Sequence, residues 1–399
     1  MNKGYTKGMV LITIILMDLL AGMEFDLFVP SFPELQRHFD LSPFWVEALL
    51  SINFLGFCFS LFFVGGLADR YGRKPIIVMG LITFIIGSVF CLWTLSFVFL
   101  LIGRFLQGMG VAAPAILSFL IIADAYPLKK QQALMAMLNG LMNASAAAAP
   151  VIGSYITLYF HWQGNFVTLL LMGLGTFGMV AIFIPSQPRP AHKEPLSLRG
   201  YIPIFQSRPL MLLITHIVLM FVPYWIFVGM SPLLYMEDLG VSLSHFGYYQ
   251  GALALVFALG SLLFGLIISR CDQKKMLSLS NQIFGVSFLC IALITVMDSR
   301  NALVITLALL PFIIGQIIPT TVLYPIALNF MPKAKGRVSA VMQGARLIIS
   351  ALCLQLAGYF YQGSFQSIGI MIAIFILMIS VTLFFVIKNQ ALMTFSKEV

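Results

Sequence analysis

Pro75 to Gly103 reads PIIVMGLITFIIGSVFCLWTLSFVFLLIG, and no side chain in it carries a formal charge. Crossing about 30 Å of hydrocarbon as α-helix takes about 20 residues. The run therefore holds one complete span and the start of a second, with a break near residue 96. Charge returns on both sides: Gly65-Gly66-Leu67-Ala68-Asp69-Arg70-Tyr71-Gly72-Arg73-Lys74 precedes it, and Arg104 follows it.

The same alternation of long apolar runs and short basic turns continues in both directions. Val241 to Ser269 is another stretch without Lys, Arg, Asp or Glu. The chain has 399 residues, of which 60% are hydrophobic and 9% charged, and its mean hydropathy is +0.99. That is too apolar for an ordinary water-facing surface. Breaking the apolar runs at charges, Pro and turn residues predicts twelve spans, near 8–29, 44–66, 74–95, 97–124, 131–157, 163–184, 210–234, 244–269, 275–297, 302–328, 337–361 and 366–387. The expected fold is an all-α polytopic membrane protein. Its Pro-rich polar interruption at 185–208 divides a six-helix half, 1–184, from a second six-helix half, 209–399.

The formal net charge of +9 does not point to nucleic acid, because the basic residues are scattered through short loops and form no folded basic face. They report orientation. With the N-terminus inside, every Lys and Arg falls on the cytoplasmic side except Arg37 and Arg300 outside and Arg104 and Arg346 within spans. Both termini are then cytoplasmic. The basic start at Lys3 and Lys7 resembles a signal peptide, but Asp18, Glu24 and Asp26 interrupt the apolar stretch that follows, so it reads as a retained first span. Cys58, Cys91, Cys271, Cys290 and Cys353 give neither a disulfide framework nor a zinc spacing. The five His are scattered, and no G-x-x-x-x-G-K-[ST] loop is present. An enzyme site, a bound metal and ATP drive are therefore not expected, and no cofactor is called for.

The turn at 65–74 has a counterpart six spans later, Gly265-Leu266-Ile267-Ile268-Ser269-Arg270-Cys271-Asp272-Gln273-Lys274-Lys275. Parallel halves of this kind suggest a pathway between them, as in the superfamily named next. The pattern G-x-L-x-D-R-x-G-R-K at Gly65–Lys74 resembles the loop signature of the major facilitator superfamily. Arg104-Phe105-Leu106-Gln107-Gly108-Met109-Gly110 resembles the R-x-x-Q-G-x-G of the fourth helix in its proton-coupled drug antiporters. Ala149-Pro150-Val151-Ile152-Gly153-Ser154 is similar to their G-P-x-x-G-G, departing from it at Ala149 and Ser154. Asp26-Leu27-Phe28-Val29-Pro30-Ser31-Phe32-Pro33 resembles the end of the first helix in Bcr/CflA-type exporters, and Asp18 and Asp26 stand eight apart like two acids of MdfA-like facilitators. Ser231-Pro232 and Gly336-Arg337-Val338-Ser339-Ala340 fit as well.

The resemblance implies the major facilitator fold and a twelve-span drug:proton antiporter in the inner membrane of a bacterial cell. The expected partners are small molecules, protons and the bilayer, with the chain acting as a monomer. Gly65, Asp69, Arg70, Gly72 and Arg73 would form a cytoplasmic gate motif, and Ala149, Pro150 and Gly153 the span-five antiporter motif. An exporter dedicated to one metabolite, such as a siderophore, sugar or amino acid, is the alternative.

An ionisable group at membrane depth costs roughly 2.5 kcal/mol or more, so the buried charges are the candidate coupling residues. At about 100° per residue, Asp18 and Asp26 differ by roughly 80° and lie about 12 Å apart along one helix. Both can then face one cavity, while Glu24 falls on another face or near the interface. Arg104, about seven residues into span four, is level with Asp26, and a pair between them is expected. Asp18, Asp26, Glu24 and Arg104 are thus the candidates for proton and substrate coupling. Asn53, Gln107, Asn139, Asn143, Gln316 and Gln343 are the candidate cavity-lining residues. Arg346 lies well inside span eleven, and both a reach to the cytoplasmic interface and contact with an anionic substrate or lipid fit its position.

Overall fold

The computed structural model describes residues 3–93, 96–125, 128–186, 198–267, 272–331 and 334–393. Among these residues the spanning helices are α1 Lys3–Met23, α2 Pro43–Tyr71, α3 Arg73–Leu92 and α4 Phe97–Ala125. The continuous stretch Leu128–Phe183 folds back at His161 (φ 58°, ψ −175°) into α5, 128–160, and α6, 162–183. Then come α7 Arg208–Pro232, α8 Leu243–Ile267, α9 Gln273–Val296, α10 Ala302–Phe330, α11 Lys335–Phe360 and α12 Phe365–Lys388. Among the described residues ten apolar stretches are long enough to cross a bilayer; one of them, Gly140–Phe183, covers parts of both α5 and α6, and the shorter Gly8–Met23 supplies the remaining span.

The boundaries expected from apolar runs shift in two places. The first helix stops at Met23 instead of running to residue 29; the chain continues in turns through 24–28, a 3-10 turn at Val29–Ser31 and a short helix at Phe32–Phe39. Pro30 and Pro33, which have no N–H to bond the carbonyls of Asp26 and Val29, keep a regular helix from running on past these turns. In the Pro-rich interruption, Leu198–Tyr201 and Ile202–Gln206 form short helical pieces, whereas 187–197 lie outside the described residues.

The chain forms two compact units, Met1–Leu196 and Ser197–Val399. In the first, α1 packs on α4 and on α5, α2 on α4, and α3 on α4 and α6. In the second, α7 packs on α10 and α11, α8 on α10, and α9 on α10 and α12. Each pair of the first set recurs in the second six numbers on, and the second unit also packs α7 on α12, where His216 meets Thr382 at 3.0 Å.

Backbone polar groups inside a bilayer have to be satisfied within the protein. Several hydroxyls along the spans are satisfied in the same way: Ser88 donates to the Phe84 carbonyl at 2.9 Å, Thr157 to Gly153 at 2.8 Å and Thr306 to Ala302 at 2.8 Å. Side chains cap the starts of α9 and α10. Asp272 accepts from the Lys275 N–H at 3.1 Å, and Asn301 accepts from Leu303 and Val304 at 3.0 and 3.2 Å. The α5–α6 fold is clasped from the helix at Phe32–Phe39, where Glu34 accepts from the Trp162 N–H and meets His161 Nδ1, both at 2.9 Å. In the second unit Tyr361, just past α11, donates to Asp238. Burial and the adjacent carboxylate raise the Tyr361 pKa, so this phenol keeps its proton.

Candidate functional site

The turns after Met23 bring a carboxylate into the middle of the first unit, and that carboxylate is Glu24. Its Oε1 accepts from Arg104 Nη1 at 2.8 Å and from Asn53 Nδ2 at 2.7 Å. Asn53 also donates to the Arg104 carbonyl at 2.9 Å, and Arg104 Nε donates to the Leu49 carbonyl at 3.4 Å. On its other side Arg104 Nη1 donates to Gln107 Oε1 at 2.7 Å, and Gln107 Nε2 donates to Ser88 Oγ at 2.8 Å. The guanidinium carbon stands 3.9 Å from the centroid of the Phe28 ring. Glu24, Asn53, Arg104, Gln107 and Ser88 are all fully buried. One network therefore ties the turn after α1 to α2, α4 and α3.

The expected partner of Arg104 was Asp26, and the structure puts Glu24 there. A wheel of 100° per residue holds only while the helix continues; α1 ends before either acid, so the wheel assigns neither correctly. Glu24 is accordingly neither interfacial nor on another face. Asn53 and Gln107, expected along a cavity, are members of this buried network.

The other acids have no such neighbours. Asp18 is fully buried in α1 with neither carboxylate oxygen hydrogen-bonded, and Asp26 is almost fully buried with Oδ1 unpartnered. Glu47, near the start of α2, is also fully buried with both oxygens unpartnered. Glu47 is not among the site residues expected from the sequence. The signal was present: it is an acid inside the predicted span 44–66.

The small residues of these motifs have specific packing tasks. A Cβ on Gly108 would come within 2.0 Å of the Asn53 carbonyl oxygen, and one on Gly153 within 1.9 Å of that of Leu27. Gly108 thus lets α4 close on α2 where the network forms, and Gly153 lets α5 press against the turn that carries Glu24 and Asp26. Pro150 lies inside α5, its carbonyl accepting from Ser154 Oγ at 2.8 Å, and Ala149 is fully buried. In the turn between α2 and α3, Gly72 has φ 92°, a conformation other residues rarely adopt. Arg70 lies over Tyr71 with 5.4 Å between guanidinium carbon and ring centroid, Arg73 opens α3, and Gly65 has open space around it. The side chains of Asp69 and Asn139 lie outside the described residues. Asn143 is partly buried in α5.

In the second unit Gln316 donates to the Met220 carbonyl at 2.8 Å, joining α10 to α7, and Gln343 is partly exposed on α11. Tyr235 donates to the Ala302 carbonyl at 3.2 Å and meets Thr306 Oγ1 at 2.8 Å. The interior acids, Asp18, Glu24, Asp26 and Glu47, all belong to the first unit. Among the described residues of the second unit, Glu237, Asp238, Asp272 and Asp298 all flank the spans.

A sequence profile described as Major Facilitator Superfamily matches residues 14–352 and 224–397. The chain is 26% identical over 304 residues to a bicyclomycin resistance protein homolog of Haemophilus influenzae, covering 75% of this chain and 76% of that protein. It is 29% identical over 227 residues to the multidrug resistance protein MdtL of Salmonella heidelberg, covering 56% and 57% of the two chains. An Escherichia coli MdtL is 30% identical over 251 residues, 60% of each chain, so less than two thirds of these MdtL relatives is spanned. Among solved structures, a D-xylose-proton symporter superposes with a TM-score of 0.76 at 13% identity, over 93% of this chain and 96% of that one. An inward-facing, occupied bacterial homolog of the human lysosomal transporter Spinster gives 0.74 at 15% identity, over 95% and 96%. At these identities the structures speak for the fold alone.

Proposed function

The chain belongs to the Major Facilitator Superfamily, and from that premise we propose that it exports drugs or other small amphipathic molecules in exchange for protons. In this reading it sits in the bacterial inner membrane with both termini in the cytoplasm and works as a monomer. Relatives named for bicyclomycin and multidrug resistance support export. The observation that carries proton coupling is Asp18, fully buried in α1 with both carboxylate oxygens unpartnered.

Glu24 and Arg104 neutralise each other, which leaves Asp18 and Asp26 without a counter-charge on their own helix or turn. An ionised carboxylate in hydrocarbon costs several kcal/mol unless it is paired or neutralised. Binding a proton removes the charge, and so does binding a cationic substrate. A carboxyl that accepts only one of them at a time exchanges one for the other. Inward movement of a proton releases about 2.3 kcal/mol per 100 mV of membrane potential, enough to drive a substrate outward against its gradient. Asp18 is the primary coupling site because it lies at mid-span in α1, where alternating access requires it. Asp26 is the second, and the Glu24–Arg104 network holds the turn that positions it.

The test uses purified protein in proteoliposomes with an imposed proton gradient, to which lipophilic cations and neutral drugs are added one at a time. Collapse of the gradient by several unrelated compounds, lost in Asp18→Asn, is the expected result. Silence across the panel would redirect the assignment to a narrow metabolite exporter, and unaltered coupling in both Asp18→Asn and Asp26→Asn would remove the acids from the mechanism.

A further inference from the structure

The second unit contains one charged side chain deep within its described spans, Arg346 of α11. It stands nine residues beyond the exposed Arg337, about 14 Å along the helix axis and close to half of a ~30 Å hydrocarbon layer. That is deeper than an arginine stem extends from the cytoplasmic interface. The exposed side of α11 carries Leu352, Leu356 and Tyr359. Arg346 is roughly 120° around the helix from Leu352, so it points away from the exposed face.

Its guanidinium carbon lies 4.7 Å from the centroid of the Phe221 ring of α7. Nε is sealed from solvent and has no acceptor, and the side chain as a whole is only partly buried. One face of the guanidinium is therefore held by an aromatic ring while a hydrogen-bond donor is left over. Gln316 of α10 donates to the carbonyl of Met220, the residue before Phe221. No carboxylate of the second unit lies within its described spans to neutralise Arg346. An unneutralised cation at this depth is a functional candidate by default, and the planar fork of donors suits carboxylate, sulfonate or phosphate oxygens.

We propose that Arg346, backed by Phe221, is an anion-recognising subsite for a small-molecule substrate, so that the exported compounds include amphipathic molecules bearing an acidic group. This rests on the reading of the chain as an exporter of amphipathic molecules and adds the charge class of its cargo. It separates from that reading in experiment, because binding can be measured with no proton gradient present.

The probe is a matched naphthalene series: 2-naphthalenesulfonate, 2-naphthalenesulfonamide and a naphthylmethyl trimethylammonium ion. Each is titrated calorimetrically into full-length protein in nanodiscs of phosphatidylcholine. The expected result is sulfonate binding at least tenfold tighter than sulfonamide binding. That preference should vanish in Arg346→Gln and survive in Arg346→Lys. Should Arg346→Gln fail to fold, Phe221→Leu decides in its place, and a sulfonate preference reduced severalfold supports the subsite. Equal affinity for sulfonate and sulfonamide in the unaltered protein overturns the proposal, as does a preference indifferent to Arg346→Gln or, in its place, to Phe221→Leu. Phosphatidylglycerol nanodiscs that abolish sulfonate binding would assign the site to a lipid headgroup and overturn it as well.

Discussion

Glu24 Oε1 takes two hydrogen bonds, one from Arg104 at 2.8 Å and one from Asn53 at 2.7 Å, in a place from which water is excluded. Removing one member of a buried ion pair leaves the other uncompensated, at a cost of about 3–5 kcal/mol. Glu24→Gln and Arg104→Gln are each expected to lower the melting temperature in detergent sharply. Asp26→Asn, which breaks no ion pair, is expected to leave it nearly unchanged. Equal melting of Glu24→Gln and Asp26→Asn would mean that Glu24 is not the partner that matters.

Glu47 gives a prediction of opposite sign. A buried carboxyl with no hydrogen bond is a cost to the fold, of about 1–3 kcal/mol on the scale of protein mutational data. Glu47→Met, similar in volume and free of that cost, is expected to raise the melting temperature. If it melts lower, Glu47 has a partner in the folded protein. Proton-coupled flux measured on the same variant then reports whether this acid also serves transport.

Close helix packing is tested at the glycines. An added methyl has no room at Gly108 or Gly153, and overpacking a dense interior costs about 1–3 kcal/mol. Gly108→Ala and Gly153→Ala should reduce the yield of monodisperse protein in size-exclusion chromatography. Gly65→Ala, with open space around it, should be tolerated. A poorly behaved Gly65→Ala beside a normal Gly153→Ala would reverse this ranking.

Glu34 holds the bend at His161 through the Trp162 N–H. Glu34→Ala leaves that donor to water at the start of α6, a loss of about 1 kcal/mol comparable to removing a helix cap. Hydrogen exchange around Trp162 is expected to accelerate several-fold while the centre of α6 stays protected. Unchanged exchange at Trp162 would show that the bend holds without Glu34.

The helices and their order were legible along the chain. An apolar run long enough to cross a bilayer has no low-energy alternative to helix, because lipid offers no partner to a free N–H or carbonyl. Gly65–Lys74 and Arg104–Gly110 carried the family for a related reason: Gly72 needs its positive φ and Gly108 needs to have no side chain, so the residue types are tied to backbone geometry that neighbouring positions do not require. Arg104, too, was legible as a site residue, since a guanidinium inside a span has to be neutralised somewhere.

Which acid neutralises it was decided only in three dimensions. Asp26 and Glu24 are two residues apart, and helical periodicity favours one or the other according to where the helix stops. Pro30 and Pro33 hint at a stop, but the turns of 24–28 are set by α5 pressing on Leu27 at Gly153 and by Phe28 lying against Arg104. Those contacts join residues more than seventy positions apart. Glu47 and Arg346 show the same limit: their charge and approximate depth can be read in the chain, but whether each has a partner depends on what the other helices bring alongside.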